Sequence, residues 1–193
     1  MGILKTKQML VDVARQLFAK DGKSNVTMND IAIASQKGRR TLYTYFKSKN
    51  DIYLAVIERE LDFLMEKLES VILRNMKPDE MLVEYIFTRQ KAIKESVTRN
   101  GSLRADFFRD IYEVERARRR VDISEIKMIR KILEDGVRQQ IFNCDDTELG
   151  AMIILYSLKG IETPFIRDRI SKRMEDRKEQ IIHFLFEGLK IRG

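Results

Sequence analysis

The sequence predicts an all-α protein: a basic three-helix unit followed by a larger helical body. Three observations carry that expectation. Apolar residues recur at three- and four-residue spacing along most of the chain, with no sustained strand alternation. The 193 residues hold only two prolines and nine glycines, with 44% apolar and 35% charged residues, the composition of a folded, helix-rich domain. The positive charge is also segregated. Residues 1–50 hold ten Lys/Arg against three Asp, and the remaining 27 basic and 27 acidic residues cancel, so the whole net charge of +7 sits in the first quarter. A compact basic unit joined to a neutral one is the footprint of a polyanion-binding module.

The first helix is marked by Leu10, Val13, Ala14, Leu17 and Phe18, one apolar stripe closed by "AKDG", with Gly22 suited to the position after a helix. "VTMND" then reads as a start signal. Thr27 caps, Asp30 occupies the reciprocal capping-box position, and Val26 and Ile31 stand where a hydrophobic staple packs. This second helix is expected over about Met28–Ser35 and is broken by "QKG"; a third follows over about Arg39–Phe46. "SKND" restarts the pattern with Ser48 as cap and Asp51 at the positive helix end. The fourth helix keeps helical spacing through Leu61, Leu64, Met65, Leu68, Val71 and Ile72, and is expected to reach Lys77, ahead of Pro78. Further helices are expected over about 79–98, 103–112, 113–141, 147–159 and 171–190, with breaks at "RNGS", "NCDD" and "KGIETPF".

Several function classes find no support. Cys144 and His183 are the only residues of their types, which excludes an intrachain disulfide and Cys/His-rich zinc sites, and both read as ordinary structural residues. No metal or cofactor is expected. There is no nucleophile elbow, phosphate-binding glycine loop or Cys/His couple, so the chain does not read as an enzyme. No stretch approaches the ~18 apolar residues of a membrane span, and the N-terminus lacks a secretory apolar region, so a cytoplasmic location is expected. The run "RARRR" at Arg116–Arg120 is flanked by Glu113, Glu115 and Asp122 and reads as a solvated, salt-bridged helix face.

The informative stretch is "RRTLYTYFKSK". On a helical wheel Leu42 and Phe46 point inward, Arg40, Thr41, Thr44 and Lys47 point away, and Tyr43 and Tyr45 flank them. A short helix after a tight turn, basic and outward at its N-terminal end, matches the recognition helix of a helix-turn-helix. Arginine reads guanine edges, threonine donates, accepts or offers a methyl, and tyrosine, lysine and backbone amides suit phosphate.

"MLVDVARQLFAKDG", "VTMNDIAIAS" and "TLYTYFKSKNDIY" together resemble the N-terminal domain of the TetR family of transcriptional repressors. Ala14, Leu17, Phe18, Gly22, Thr27, Ile31, Ala32, Thr41, Leu42, Tyr43, Tyr45, Phe46, Ser48 and Lys49 follow its pattern in order over about the first 55 residues. "ILEDGVRQQIF", "ELGAMIILYSLKG" and "IIHFLFEGLK" look, more loosely, like the family's seventh, eighth and ninth helices. One departure stands out: "SQKGRR" at Ser35–Arg40 replaces the usual "A-G-V-S-x-G". Gly38 takes the usual serine cap position, Lys37 replaces a small apolar residue, and Arg40 adds a long side chain.

The resemblance implies a helix-turn-helix DNA-binding domain over residues 1–50 and a helical ligand-binding and dimerisation domain over 51–193. It implies binding of a near-palindromic double-stranded DNA operator through Thr27, Lys37, Arg39, Arg40, Thr41, Tyr43, Thr44, Tyr45, Lys47 and Lys49. It further implies a homodimer through the last two long helices, to which Met152, Leu155, Tyr156, Ile181, Leu185 and Leu189 contribute apolar surface, and release by a small-molecule inducer. Tyr85, Arg89, Phe107, Phe108, Tyr112, Met128 and Tyr156 lie on helices that line the family's pocket, although at helical spacing each also reads as core packing. The alternative function is a ligand-binding or adaptor protein of the same fold with altered or lost sequence-specific DNA binding, with a small helical enzyme ranked below it.

Overall fold

The computed structural model describes residues 2–101, 111–166 and 176. Among them are seven α-helices and no strand: α1 (Gly2–Asp21), α2 (Met28–Ala34), α3 (Arg39–Tyr45), α4 (Lys49–Ile72), α5 (Pro78–Arg99), α6 (Ile111–Arg138) and α7 (Thr147–Ile166). A 3-10 turn, Lys23–Asn25, joins α1 to α2. The helix expected over 171–190, with His183, Ile181, Leu185 and Leu189, lies outside the described residues except for Asp176, as does most of that over 103–112. The chain forms two compact units, Met1–Phe63 with Glu95–Arg119, and Leu64–Lys94 with Arg120–Gly193.

The first unit is built on the stripe read from the sequence. Leu10, Ala14 and Phe18 of α1 are buried with Val26, Ile31, Ala32, Leu42, Phe46, Ile52, Tyr53, Val56 and Ile57 in one apolar cluster. Phe18 meets Tyr53 edge to face at 6.3 Å between centroids. Each large side chain so buried contributes about 1.5–3 kcal/mol relative to exposure. Gly22 ends α1 at φ 81, ψ 149, a conformation open to glycine. The capping box of α2 forms as expected: Thr27 Oγ1 accepts from the Asp30 N–H at 3.2 Å, and Asp30 Oδ2 accepts from the Thr27 N–H at 2.8 Å. The Thr27 hydroxyl, and secondarily its backbone N–H, hold the Asp30 carboxyl below its ordinary pKa. That contribution is complete above the ordinary carboxylate range and is lost as pH falls through the lowered value.

The turn between α2 and α3 closes with two backbone bonds, from Gln36 N–H to Ile33 O and from Lys37 N–H to Ala32 O, both 3.0 Å. This is a Schellman closure with Gln36 in the left-handed position at φ 54. The turn therefore survives the substituted "SQKGRR" sequence, with glutamine holding a conformation that glycine adopts more easily. At the start of α4, Ser48 Oγ accepts from the Asp51 N–H at 3.1 Å while Asp51 Oδ2 accepts from the amides of Lys47 and Ser48, the cap that "SKND" announced. The helix stops at Ile72 rather than Lys77. Leu73 is 86% exposed, so another turn would bury nothing, and Pro78 opens α5 as a first helical residue. Within the same unit Glu60 accepts from Ser96 Oγ at 2.7 Å and pairs with Arg99, whose guanidinium lies over the Phe63 ring. Gly101, at φ 45, stands where a Cβ would come within 2.6 Å of the Ala19 carbonyl oxygen.

The second unit holds a buried polar network. Arg89 of α5, wholly buried, pairs with Glu125 of α6 at 2.6 Å and Glu162 of α7 at 2.8 Å. Tyr85 donates its hydroxyl to Glu125 at 3.1 Å, and burial, then the Glu125 charge, push its pKa well above the ordinary value, so it remains a donor. Gln90 donates to the Leu158 carbonyl, and Lys159 pairs with Asp122 at 2.7 Å. This network corrects the expected break at "KGIETPF": α7 runs on through Gly160 and Pro164 to Ile166. Glycine weakens a helix by about 1 kcal/mol, and a proline in the last turn removes one bond. Burial of Leu155 and Leu158 and the pairing of Glu162 outweigh both. At the end of α6 the helix stops at Arg138, short of Ile141, because Gln140 turns left-handed at φ 59 and folds Phe142 back onto Gly136.

Two outcomes follow from this packing. Gln36→Gly is expected to stabilise the chain by about 1 kcal/mol by relieving the left-handed conformation, read as a raised midpoint in urea. Arg89→Met is expected to destabilise by about 3–5 kcal/mol because two buried carboxylates lose their cation. Adding Glu125→Gln and Glu162→Gln should recover most of that loss; no recovery would show that shape, not charge, sets the requirement.

Candidate nucleic-acid interface

The helix α3 is only seven residues long, too short to be stable alone. Leu42 (0% exposed) and Phe46 (4%) anchor it in the core of the first unit, and Tyr45 packs half-buried against the same cluster. With those positions fixed inward, Arg39, Arg40, Tyr43, Thr44 and Lys47 are exposed and Thr41 is half-buried at the edge. Lys37, in the turn, is exposed as well. The wheel read from the sequence is thus reproduced for the inward pair and for Arg40, Thr44 and Lys47. Tyr43 stands further out than a flanking position and Thr41 further in.

The electrostatics of this helix are unusual. Its first turn carries Arg39 and Arg40 and no acidic residue, and its N-cap, Gly38, supplies no side-chain hydrogen bond. Cations at the positive end of a helix are unfavourable by roughly 0.3–1 kcal/mol each at an exposed site, whereas an anion there is favourable. An anionic partner would reverse the sign of that interaction. The exposed Thr44 hydroxyl donates to the Arg40 carbonyl at 2.9 Å, which leaves its oxygen as an acceptor.

Two of the expected contact residues are already engaged. The Thr27 hydroxyl is tied into the α2 cap, donating to Asp30 Oδ2 at 2.7 Å. Lys49, half-buried, donates from Nζ to the carbonyls of Lys23 at 2.8 Å and Ser24 at 3.3 Å. The outward basic set is therefore Lys37, Arg39, Arg40 and Lys47.

The residues expected around a ligand separate. Tyr85 and Arg89 meet in the buried network, and Met128 is half-buried on α6. Tyr156 stands 52% exposed on α7, beside Lys159. Phe107 and Phe108 lie outside the described residues, and Tyr112 is described only as part of the α6 backbone. Sequence reasoning missed the partners Glu125 and Glu162. A signal existed: Glu125 lies between Val121 and Ile129, and Glu162 follows Leu155 and Leu158, so both occupy positions of an apolar stripe. Along α7, Leu149, Met152, Ile153 and Tyr156 form a second, exposed apolar stripe at i, i+3, i+4 and i+7. No helix among the described residues is long and apolar enough to cross a membrane.

Residues 10–56 match the family described as "Bacterial regulatory proteins, tetR family". An HTH-type transcriptional regulator of Staphylococcus aureus is 34% identical over 67 residues, 35% of this chain and 36% of that protein. The chain thus matches about a third of the length of such relatives. A transcriptional regulator from Cytophaga hutchinsonii shares the fold at TM-score 0.77 and 18% identity, over 95% of this chain and 98% of the other. The fatty acid degradation regulator FadR of Bacillus halodurans does so at TM-score 0.71 and 17% identity, over 96% and 97%. Residues 10–56 thus match the model of the tetR family of bacterial regulatory proteins, and the described residues form a helical fold shared with solved regulators.

Proposed function

We propose that this protein is a ligand-responsive transcription regulator, acting as a repressor, that binds a near-palindromic double-stranded DNA operator as a homodimer and is released by a small-molecule inducer. The observation that carries the DNA-binding part is α3: a helix pinned by Leu42 and Phe46 that turns Arg39, Arg40, Tyr43, Thr44 and Lys47 to solvent and places two arginines at its positive end. In a major groove Arg40 and Thr44 would meet base edges, while Lys37, Arg39, Tyr43 and Lys47 would meet phosphates, with Thr41 and Tyr45 at the rim. Thr27 would act through the α2 cap. The functional division proposed is DNA binding within residues 1–50 and ligand binding and dimerisation within 51–193, in the cytoplasm.

The exposed stripe Leu149, Met152, Ile153 and Tyr156 supports the homodimer, because a second copy would remove this apolar surface from water. Two such copies would set their recognition helices about one DNA turn, ~34 Å, apart. The inducer would act by binding one of two body conformations better than the other, with Tyr85, Arg89 and Met128 as the described residues nearest to that role and Phe107, Phe108, Tyr112 and Tyr156 proposed alongside them.

The deciding experiment is binding of the purified protein to the DNA upstream of its own gene and to unrelated DNA of equal length, across a salt series. Preferential binding that weakens steeply with salt is expected; equal, weak binding to both would favour the adaptor reading. Arg40→Ala should lose roughly 1–3 kcal/mol of discrimination at one operator position while leaving unrelated DNA nearly unaffected. Ile153→Glu should shift the protein from dimer to monomer in sedimentation equilibrium without loss of helicity, and a dimer that persists would move the interface elsewhere.

A further inference from the structure

We propose that Lys49 is a positioning residue: its ammonium clamps the α1–α2 connection onto the start of α4, and it serves DNA binding through that geometry rather than by touching phosphate. The Nζ group lies 2.8 Å from the Lys23 carbonyl oxygen and 3.3 Å from that of Ser24, across a sequence separation of 26 and 25 residues. One helical turn further along α4, on the same face, the ring of Tyr53 lies under the Lys23 ammonium at 3.7 Å, and Tyr53 itself is fully buried. The segment is therefore gripped at two points by residues spaced i and i+4: Lys49 takes the backbone carbonyls of Lys23 and Ser24, and Tyr53 takes the Lys23 side chain.

The placement of Lys49 needs such an explanation. As the first residue of α4 it puts a cation at the positive end of a helix, where a charge of that sign is disfavoured. The carbonyls just past α1 supply the compensation, as the last carbonyls of a helix attract cations. Asn25 adds to the same closure by donating from Nδ2 to the Asp21 carbonyl at 2.8 Å. The clamped turn leads directly to Val26, buried at 2% exposure, and to the Thr27 cap of α2, and the Schellman closure at Gln36 then passes α2 into α3. Loosening Lys23–Asn25 would loosen the anchoring of α2, and with it the stance of α3. Two of the three ammonium N–H donors of Lys49 go to these carbonyls, which fixes where the head group sits and leaves a single donor for any other partner.

The consequence for DNA rests on the proposed function; the consequence for the turn does not. Two measurements on the full chain separate them, using Lys49→Met, which keeps the aliphatic stem and removes the charge, and Lys49→Arg, which keeps donors for the carbonyls. In hydrogen exchange, Lys49→Met is expected to speed the amides of residues 23–31 about fivefold or more, and Lys49→Arg to restore most of the protection. In DNA binding across a salt series, with the DNA upstream of its own gene as probe, Lys49→Met is expected to weaken operator and unrelated DNA by a similar factor while the slope of log K against log salt stays that of the wild type. A slope shallower by about 0.9, the signature of one lost phosphate contact, overturns the proposal. Unchanged exchange in residues 23–31 overturns it too. If the wild-type protein binds neither DNA, the regulator reading fails and the exchange comparison still decides the role of Lys49. If Lys49→Met does not fold, Lys49→Gln, whose amide can donate to one carbonyl, carries the same comparison.

Discussion

The candidate interface depends on one constraint: α3 has seven residues and cannot hold itself together. An isolated helix of that length is unstable in water, so its conformation is lent by Leu42 and Phe46, which sit at i and i+4 in the core of the first unit. Two anchors on one face leave the opposite face with no packing role. That freedom lets Arg39, Arg40, Thr44 and Lys47 be chosen for an external partner rather than for stability. The other features of the unit serve the anchoring. Val26 and Ile31 pin the start of α2, Ala32 keeps α2 close to the cluster, and the caps at Thr27 and Ser48 fix where α2 and α4 begin.

How much of this was legible in the sequence follows from the range of the interactions. Caps, stripes and turns are local. Thr27 and Asp30 are three residues apart, as are Ser48 and Asp51, and Leu42 and Phe46 are one turn apart; these could be read directly and stand as read. The buried network is not local. Arg89 and Glu125 are 36 residues apart, and nothing in the spacing of either names the other. What the sequence did show was that each charged residue interrupts an apolar stripe. Such an interruption is tolerable only where a partner exists, so pairing could have been anticipated even though its geometry could not. The same gap explains the misplaced end of α7. Gly160 and Pro164 are local signals to stop, and the opposing interaction, Glu162 with Arg89, comes from another helix. Lys49 belongs to the same class: its carbonyl partners lie about 25 residues away, so the sequence offered only its charge.

The second unit and the α3 region of the first handle charge differently. In the second, cations are internally balanced: Arg89 with two glutamates, Lys159 with Asp122, Arg130 with Glu134 and Glu148, and Arg74 with Glu84. The exposed pairs among these, of Arg130 and Arg74, add little to stability, but they balance the local charge. In the turn and α3 of the first unit, Lys37, Arg39, Arg40 and Lys47 are exposed with no acidic residue in the first turn of α3. These four cations are part of the +7 carried by residues 1–50, where ten basic residues face three acidic ones, whereas residues 51–193 hold 27 of each sign.

Departures from ordinary local rules also concentrate around α3. A glutamine holds a left-handed turn, a glycine without a capping side chain starts the helix, two arginines oppose its dipole, and a lysine begins the helix that follows. Individually these cost from a few tenths to roughly 2 kcal/mol. A few residues to either side, the caps of α2 and α4 are complete, so the chain is capable of regular solutions and does not use them here. The second unit carries departures too, Gln140 left-handed at φ 59 and Gly160 and Pro164 within α7, but those at residues 36–49 lie together around the exposed face proposed to bind DNA, the pattern expected where stability is yielded to binding.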